Sequence, residues 1–171
     1  EGFVIAGGSI RRWFLGEKQE SDFDYFRVDD KKDWELPIKG LKETYSNRVQ
    51  TTYKLKGKII QAIKRPYSSV NGLFRQFDFH HCQFAYTGDE IFTTKKAIIS
   101  STRKHLSLNT IIEDFELDTL RRAFKYQRQG FTPCEGTIAD IAIKLKNSDS
   151  DFEKQKTMSP GGGKKSIIKF D

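Results

Sequence analysis

The sequence predicts an α+β fold in which a small mixed or antiparallel sheet is flanked by helices and the C-terminal half is helical. Two patterns carry this prediction. Short apolar or alternating segments bounded by glycines fill the first half, whereas apolar residues at helical spacing fill the second. Of the 171 residues, 36% are hydrophobic, and they include 14 Phe and 6 Tyr, so the chain can bury a packed core.

A strand, a helix and a second strand are predicted within the first 28 residues. Residues 2–6 form an apolar run that stops at Gly7-Gly8, which is typical of a short buried strand. Ser9 is a suitable N-cap for a helix that ends at Gly16. Residues 21–28 alternate with a period of two, which predicts a second strand whose even-numbered side chains share one face.

A hairpin and a further strand are predicted next. Residues 29–47 are charged and irregular. Residues 49–55 and 58–63 have the composition of two strands joined by a turn at Lys56-Gly57. The alternation in residues 77–86 predicts another strand, which we expect to be central in the sheet.

The second half of the chain predicts helices followed by a tail. Apolar side chains recur at helical spacing in residues 93–104, 108–129 and 137–146. The following residues are polar and rich in glycine, which favours a flexible tail. We therefore expect three regions, namely a core at 1–92, a helical subdomain at 93–146 and a flexible tail at 147–171.

The net charge of +7 is concentrated in one stretch of the chain. Residues 31–75 carry eleven basic and three acidic side chains, whereas residues 1–30 carry four basic and seven acidic ones. An acidic segment followed by a basic one suits a metal site beside a phosphate-binding surface, and a solvated basic face is the alternative. The sequence has two cysteines and no apolar run long enough to span a membrane, so we expect a cytoplasmic protein without a membrane partner.

Two motifs near the N-terminus point to phosphate chemistry. Asp22 and Asp24 are two positions apart on a predicted strand, so their carboxylates point the same way. Such a pair can bind the divalent cations that bridge attacking and leaving oxygens in nucleotidyl transfer, and its hard oxygen ligands suit Mg²⁺ or Mn²⁺. The turn Gly7-Gly8-Ser9 lets backbone N–H groups approach phosphate oxygens. Each motif alone is common, but their order along the chain is more specific.

This order resembles the polymerase-beta-like nucleotidyltransferase superfamily, and within it the head domain of tRNA CCA-adding enzymes and bacterial poly(A) polymerases. Those families carry Gly-Gly-x-Val-Arg-Asp-x-Leu-Leu-Gly followed by Asp-x-Asp, which is similar to residues 7–16 and 22–24 here. Arg12 stands where the families have Asp, and the loop before the Asp pair is one residue longer than usual.

The resemblance implies roles for the residues of these motifs. Asp22 and Asp24 would be catalytic and would bind the metals. The triphosphate of a nucleoside triphosphate would lie against the turn and the start of the helix, at Gly7, Gly8, Ser9 and Arg11.

Two later stretches are also similar to these families. Residues 75–86 resemble Arg-Arg-Asp-Phe-Thr-x-Asn-Ala-x-Ala-Tyr. Asp78 falls in register, so the resemblance implies a catalytic role for it, either as a third metal ligand beside the other two carboxylates or within the substrate loop. A purely structural role is the alternative. Residues 120–131 resemble the helix Leu-Arg-Ala-x-Arg-Phe followed by Gly-Phe, which implies nucleotide binding by Arg121 and Lys125. The residues that would read the base have no secure register; the candidates are Glu116, Asp118 and Arg121.

The sequence as a whole therefore predicts a metal-dependent nucleotidyltransferase that transfers a nucleoside monophosphate to a hydroxyl of RNA, with a tRNA-like acceptor. Its expected partners are a nucleoside triphosphate, RNA and a protein partner. Two alternatives stay open: a non-catalytic relative that binds RNA or nucleotides, and a toxin-like enzyme that nucleotidylates protein or tRNA.

Overall fold

The structure is a computed structural model that describes residues 2–29, 36, 38–113 and 115–148. Nine strands occur in this part of the chain: β1 Phe3–Ala6, β2 Phe23–Arg27, β3 Lys42–Ser46, β4 Gln50–Leu55, β5 Lys58–Pro66, β6 Phe84–Tyr86, β7 Ile91–Thr93, β8 His105–Leu106 and β9 Thr132–Pro133. The helices are α1 Gly8–Phe14, α2 Val70–Phe74, α3 Lys95–Thr102, α4 Glu116–Arg128 and α5 Glu135–Lys146, with a 3₁₀ turn at His80–Cys82.

Seven of the strands form one sheet in the order β3-β4-β5-β2-β1-β6-β7. All neighbours in this sheet are antiparallel except β2 and β5, which run parallel. Strands β8 and β9 form a separate parallel pair. The predicted α+β class, with a mixed sheet and helices in the second half, is confirmed.

The alternation of β2 sends its side chains to two different cores. Phe23 and Tyr25 pack with the cluster around Ile60 and Ala62. Phe26 packs on the other face, in the cluster that includes Leu73 of α2. Because Asp24 and Phe26 are two residues apart on one strand, Asp24 points to the same side of the sheet as α2.

A further cluster forms the core of the helical second half. Its buried members come from α4, α5, β8 and the segments between the regular elements, namely Phe79, Leu106, Ala123, Phe131 and Ile141. The ring of Phe131 also lies under the guanidinium of Arg11 in α1, with 4.9 Å between the ring centroid and the guanidinium carbon. This contact connects the cluster to α1.

Three element predictions are wrong. Residues 77–86 form a strand only at β6, because residues 80–82 make a 3₁₀ turn and Phe79 forms one isolated bridge with Leu108. Asp78 consequently lies before that turn and not on a central strand. The helix predicted over 108–129, as one long or broken helix, begins only at Glu116, and β3 lies within the segment expected to be irregular.

The division into core, helical subdomain and tail stays a prediction. Residues 149–171 of the predicted tail lie outside the described residues. No helix in the described part of the chain has the length and hydrophobicity needed to cross a membrane.

Candidate active site

Strand pairing brings the glycine turn beside the aspartate pair. Ala6, the last residue of β1, pairs with Asp24 of β2, and Gly7 follows at once. Gly7 has a φ of 91°, a conformation that favours glycine. A Cβ atom at Gly7 would lie 4.0 Å from Oδ2 of Asp24. The backbone at the start of α1 therefore passes directly beside this carboxylate.

The amides of this turn do not all have the same role. The N–H of Gly7 donates to the carbonyl of Phe84 at 2.8 Å, so it is already used. The N–H of Arg11 donates to Gly7 O at 3.1 Å and makes the first hydrogen bond of α1. The amides of Gly8 and Ser9 precede that bond, as do the first N–H groups of any helix. Ser9 is buried and Gly8 is partly exposed, so the Gly8 amide is the one that suits a phosphate oxygen.

The two carboxylates differ in their surroundings. Asp22 is exposed and accepts a hydrogen bond from Nε2 of Gln61 at 3.3 Å. Asp24 is half-buried, and its side chain accepts no hydrogen bond from the described residues. Burial, and to a smaller extent the charge of Asp22, raise the pKa of Asp24 from 3.8 to about 7, although Lys125 acts in the opposite direction. A metal ion or another cation at this carboxylate would lower the pKa of Asp24, because it favours the charged form.

Two cavities meet at Asp24. The first, which we call the polar cavity, has a volume of about 660 Å³ and is bordered by both aspartates and by basic side chains, among them Arg11, Arg121 and Arg122. The second, the aromatic cavity, has a volume of about 520 Å³ and is bordered by Tyr67, Phe77, Phe79 and Phe115 together with Arg48, Lys64 and Arg65. Residues shared by both walls are Gly8, Asp24, Arg122, Lys125 and Tyr126.

Helix α4 supplies the basic wall opposite the aspartates. Arg121 and Lys125, for which the resemblance implies nucleotide binding, border the polar cavity. Nη1 of Arg121 pairs with Oδ1 of Asp118 at 2.9 Å, one helical turn earlier. A wall of cations facing a pair of carboxylates suits a ligand that carries both a metal ion and phosphate groups.

Asp78 binds Arg122, which borders the polar cavity from α4. Its carboxylate is 5% exposed and accepts a hydrogen bond from Nε of Arg122. Burial raises the pKa of Asp78, while Arg122 and a hydrogen bond from Thr119 oppose that rise. No group of three or more His, Cys, Asp or Glu side chains suited to hold a metal ion occurs among the residues that the structure describes. The described geometry thus connects Asp78 to Arg122, a site residue that the sequence reasoning missed.

Arg122 was missed because it adjoins Arg121 in the sequence. The resemblance to the family helix selects Arg121 and Lys125, and nothing in it distinguishes the neighbouring arginine from a solvated side chain. Only the tertiary structure, in which the packing of Phe79 places the neighbouring Asp78, shows that Arg122 has a fixed partner.

Ser9 and Arg11 are more deeply buried than a simple phosphate contact requires. Each is 1% exposed, and Ser9 is not among the residues that border either cavity. Nη2 of Arg11 lies 3.8 Å from a carboxylate oxygen of Glu17. Its Nε and Nη1 atoms are buried without a hydrogen-bond partner in the described structure. Unpaired buried donors are costly, and an anion in the polar cavity would supply the missing acceptors.

The donor set fits a divalent cation of the Mg²⁺ type. Asp22 and Asp24 provide hard oxygen ligands on one strand face, at the edge of a cavity large enough for a nucleotide. Mg²⁺ is commonly held by one or two carboxylates, with water and substrate phosphates completing its shell. Two carboxylates are therefore sufficient as protein ligands for such an ion.

Comparison with solved structures identifies the fold. Similar chains include a tRNA-processing enzyme with CTP (14% identity, TM-score 0.60) and the Bacillus stearothermophilus CCA-adding enzyme in complex with CTP (18%, 0.58). A tRNA nucleotidyltransferase complexed with a primer tRNA and an incoming ATP analog is also similar (14%, 0.56). These matches cover 84%, 79% and 84% of this chain, but only 43%, 37% and 46% of the solved ones. The protein has the polymerase-beta-like nucleotidyltransferase fold and spans less than half the length of these structures.

Sequence comparison adds the family. No curated protein matches the chain. The profile of the Gad2 family, described as Gabija anti-defense 2 family protein, matches residues 1–105. Because this match covers more than half of the chain and includes the glycine turn and all three aspartates, the protein belongs to the Gad2 family.

Proposed function

We propose that the protein is a metal-dependent nucleotidyltransferase that transfers a nucleoside monophosphate from a nucleoside triphosphate to a hydroxyl acceptor. The observation that carries this proposal is the polar cavity, in which Asp22 and Asp24 face a wall of cations from α1 and α4. A nucleoside triphosphate with its divalent cation presents positive charge to the carboxylates and negative charge to the arginines.

The chain positions the triphosphate with three kinds of group. The amide of Gly8 lies at the start of α1 on the border of both cavities, and Gly7 keeps the space beside Asp24 open. Arg11 offers two buried donors without partners. Arg121, Arg122 and Lys125 border the same cavity from α4. Together these groups hold the phosphates next to the aspartates, where the reacting bond would lie.

The reaction is an in-line attack of the acceptor hydroxyl on the α-phosphorus, with pyrophosphate as the leaving group. Asp22 and Asp24 would hold Mg²⁺ or Mn²⁺, which lowers the pKa of the attacking hydroxyl and neutralises charge on the leaving oxygens. The arginines of the cavity stabilise the same developing charge by direct hydrogen bonds. Asp78 has a positioning role in this scheme, because it fixes the guanidinium of Arg122.

The acceptor that we propose is RNA with a tRNA-like hydroxyl end. The basic stretch of the sequence forms strands β3 to β5, and its side chains Arg48, Lys64 and Arg65 border the aromatic cavity. Tyr67 and Phe77 border it as well, and aromatic rings beside cations suit unpaired bases with their phosphates. Because both cavities share Asp24, an acceptor end in the aromatic cavity would meet a triphosphate in the polar one.

A second candidate acceptor follows from the family. The Gad2 description names an anti-defense role, which favours a target other than tRNA, such as a protein that the enzyme nucleotidylates. The non-catalytic alternative is disfavoured by the retained Asp22 and Asp24, since a scaffold that binds only RNA gains nothing from two adjoining carboxylates.

Nucleotide transfer tests the proposal. The wild type is incubated with Mg²⁺, each of four labelled triphosphates and either tRNA or a host protein extract, and acceptors are identified by mass spectrometry. We expect a mass increase of one nucleoside monophosphate that disappears with Asp24→Asn. Asp89→Asn, the same change in an exposed turn, is the matched control and should retain activity. Absence of transfer to every acceptor, with no metal-dependent binding of a triphosphate in calorimetry, would contradict the proposal.

A further inference from the structure

Gln61 is a neutral side chain placed within the proposed metal site. It lies on β5, which runs parallel to β2, and its Cα pairs with that of Asp24. Paired residues of neighbouring strands present their side chains to the same face of the sheet. Its Nε2 atom donates to Oδ2 of Asp22 at 3.3 Å, and all three side chains border the polar cavity. Gln61 therefore completes a polar row with the two aspartates.

The hydrogen bond from Gln61 constrains an otherwise exposed ligand. Asp22 lies just before β2, where backbone pairing no longer fixes it. A hydrogen bond to an ionised acceptor is stronger than one between neutral groups. The amide thus holds one oxygen of Asp22 toward β5 and leaves the other free for a cation.

The neutrality of Gln61 also limits the charge of the site. Within the described ranges, no third carboxylate, histidine or cysteine joins the aspartates in a possible metal-binding group. Lys125 and Arg122 border the same cavity and repel a cation that arrives alone. A triphosphate brings several anionic oxygens to the site. These oxygens attract the divalent cation that Lys125 and Arg122 would repel if it arrived alone.

We propose that Gln61 is a positioning residue that makes tight binding of the divalent cation depend on the triphosphate. Its amide orients Asp22 for the ion, and its lack of charge keeps the empty site from holding an ion strongly. This inference rests on the proposed nucleotidyltransferase function and specifies the order of binding: the ion arrives with the nucleotide.

Calorimetric titration with Mn²⁺ tests the inference on the full chain. Each variant is titrated alone and after saturation with a triphosphate whose α–β bridge is a methylene group, so that no turnover occurs. Gln61→Glu adds a third carboxylate to the row. Gln129→Glu adds the same charge at the C-terminal end of α4, on the wall of the same cavity, and is the matched control. Gln61→Met keeps the size and neutrality of the side chain but removes its hydrogen bond to Asp22.

The variants have distinct expected effects. Gln61→Glu should bind Mn²⁺ without nucleotide at least about tenfold more tightly than the wild type, because a unit charge adjoins the ion. Gln129→Glu should change that affinity much less. Gln61→Met should match the wild type without nucleotide and lose about tenfold in Mn²⁺ affinity with the analogue, since Asp22 is no longer oriented. Circular dichroism melting verifies that each variant folds.

Two results would overturn the inference, and they are distinguishable. If the wild type binds Mn²⁺ with the analogue more tightly than Asp24→Asn does, but both Gln61 variants match the wild type, Gln61 has no such role and the proposed function stands. If the wild type and Asp24→Asn bind Mn²⁺ equally with the analogue, the proposed function fails and the inference fails with it.

Discussion

Replacing Asp24 by Asn should stabilise the protein in the absence of metal. Asp24 is half-buried without a hydrogen-bond donor from the described residues, and burial and the charge of Asp22 raise its pKa to about 7. A carboxyl whose pKa is raised in the folded state favours folding while it is neutral. That contribution is complete below its ordinary value of 3.8 and is lost as the pH rises to about 7. The asparagine variant never acquires the charge and retains the contribution at every pH.

The size of the effect follows from the two pKa values. Each pH unit between them corresponds to about 1.4 kcal/mol, so full ionisation costs the wild type at most about 4 kcal/mol. At pH 5, where the folded protein keeps the proton, the difference is at most about 2 kcal/mol. Both values are upper limits, because solvent in the cavity screens the half-buried charge.

Urea unfolding at pH 5 and pH 8 in the presence of a chelator measures this difference. We expect Asp24→Asn to unfold at a higher urea concentration than the wild type at pH 8, with a smaller gap at pH 5. Asp89→Asn is the control for loss of an exposed charge. A gap at pH 8 within about 0.5 kcal/mol, the range of an ordinary surface substitution, would refute the assigned electrostatics.

Three further outcomes are expected. Asp78→Ala should lower the free energy of unfolding by about 1–3 kcal/mol in urea titrations, because it deletes the buried acceptor of the hydrogen bonds from Arg122 and Thr119, and an unchanged midpoint would contradict these assigned bonds. The β4–β5 hairpin carries three lysines, Lys54, Lys56 and Lys58. Replacing them by Ala should reduce the slope of log K for RNA binding against log salt concentration, measured in filter assays, by about 0.7–0.9 for each phosphate that the protein no longer neutralises. An unchanged slope would indicate a solvated face. Iodoacetamide at neutral pH should alkylate exposed Cys134 and leave Cys82 unmodified, because burial raises the pKa of the Cys82 thiol to about 11, and two adducts on the native protein would contradict this burial.

The aspartate pair was predictable from the sequence because its geometry is local. Two residues at i and i+2 in extended backbone share a face whatever the strand pairs with. Asp24 lies in β2 and Asp22 directly before its first residue, and both border the polar cavity. The same rule failed for Asp78, although Phe77 and Phe79 alternate as in a strand. Phe77 packs against Phe26 with ring centroids 5.8 Å apart, whereas Phe79 belongs to the cluster of α4 and α5. Two different cores thus produce the alternation that one strand would.

Tertiary contacts decided the features that the sequence did not predict. Strand β3 is exposed along its whole length and has no apolar alternation, so only its pairing with β4 reveals it. The bond from Gln61 to Asp22 joins residues 39 positions apart and depends on the parallel register of β2 and β5. Neither local composition nor spacing contains that information.

The unsatisfied groups of the polar cavity favour a catalytic or nucleotide-binding role over a purely structural one. Asp24 accepts no hydrogen bond from the described residues, and Arg11 has two buried donors without acceptors, yet the two side chains do not pair with each other. Folded proteins satisfy almost all buried polar groups, since each unpaired one costs about 1–3 kcal/mol. The buried Nε and Nη1 atoms of Arg11 fall under this cost, whereas the half-buried carboxylate of Asp24 meets the desolvation that raises its pKa. A nucleoside triphosphate with its divalent ion would provide anionic oxygens for Arg11 and a cation for Asp24 at once.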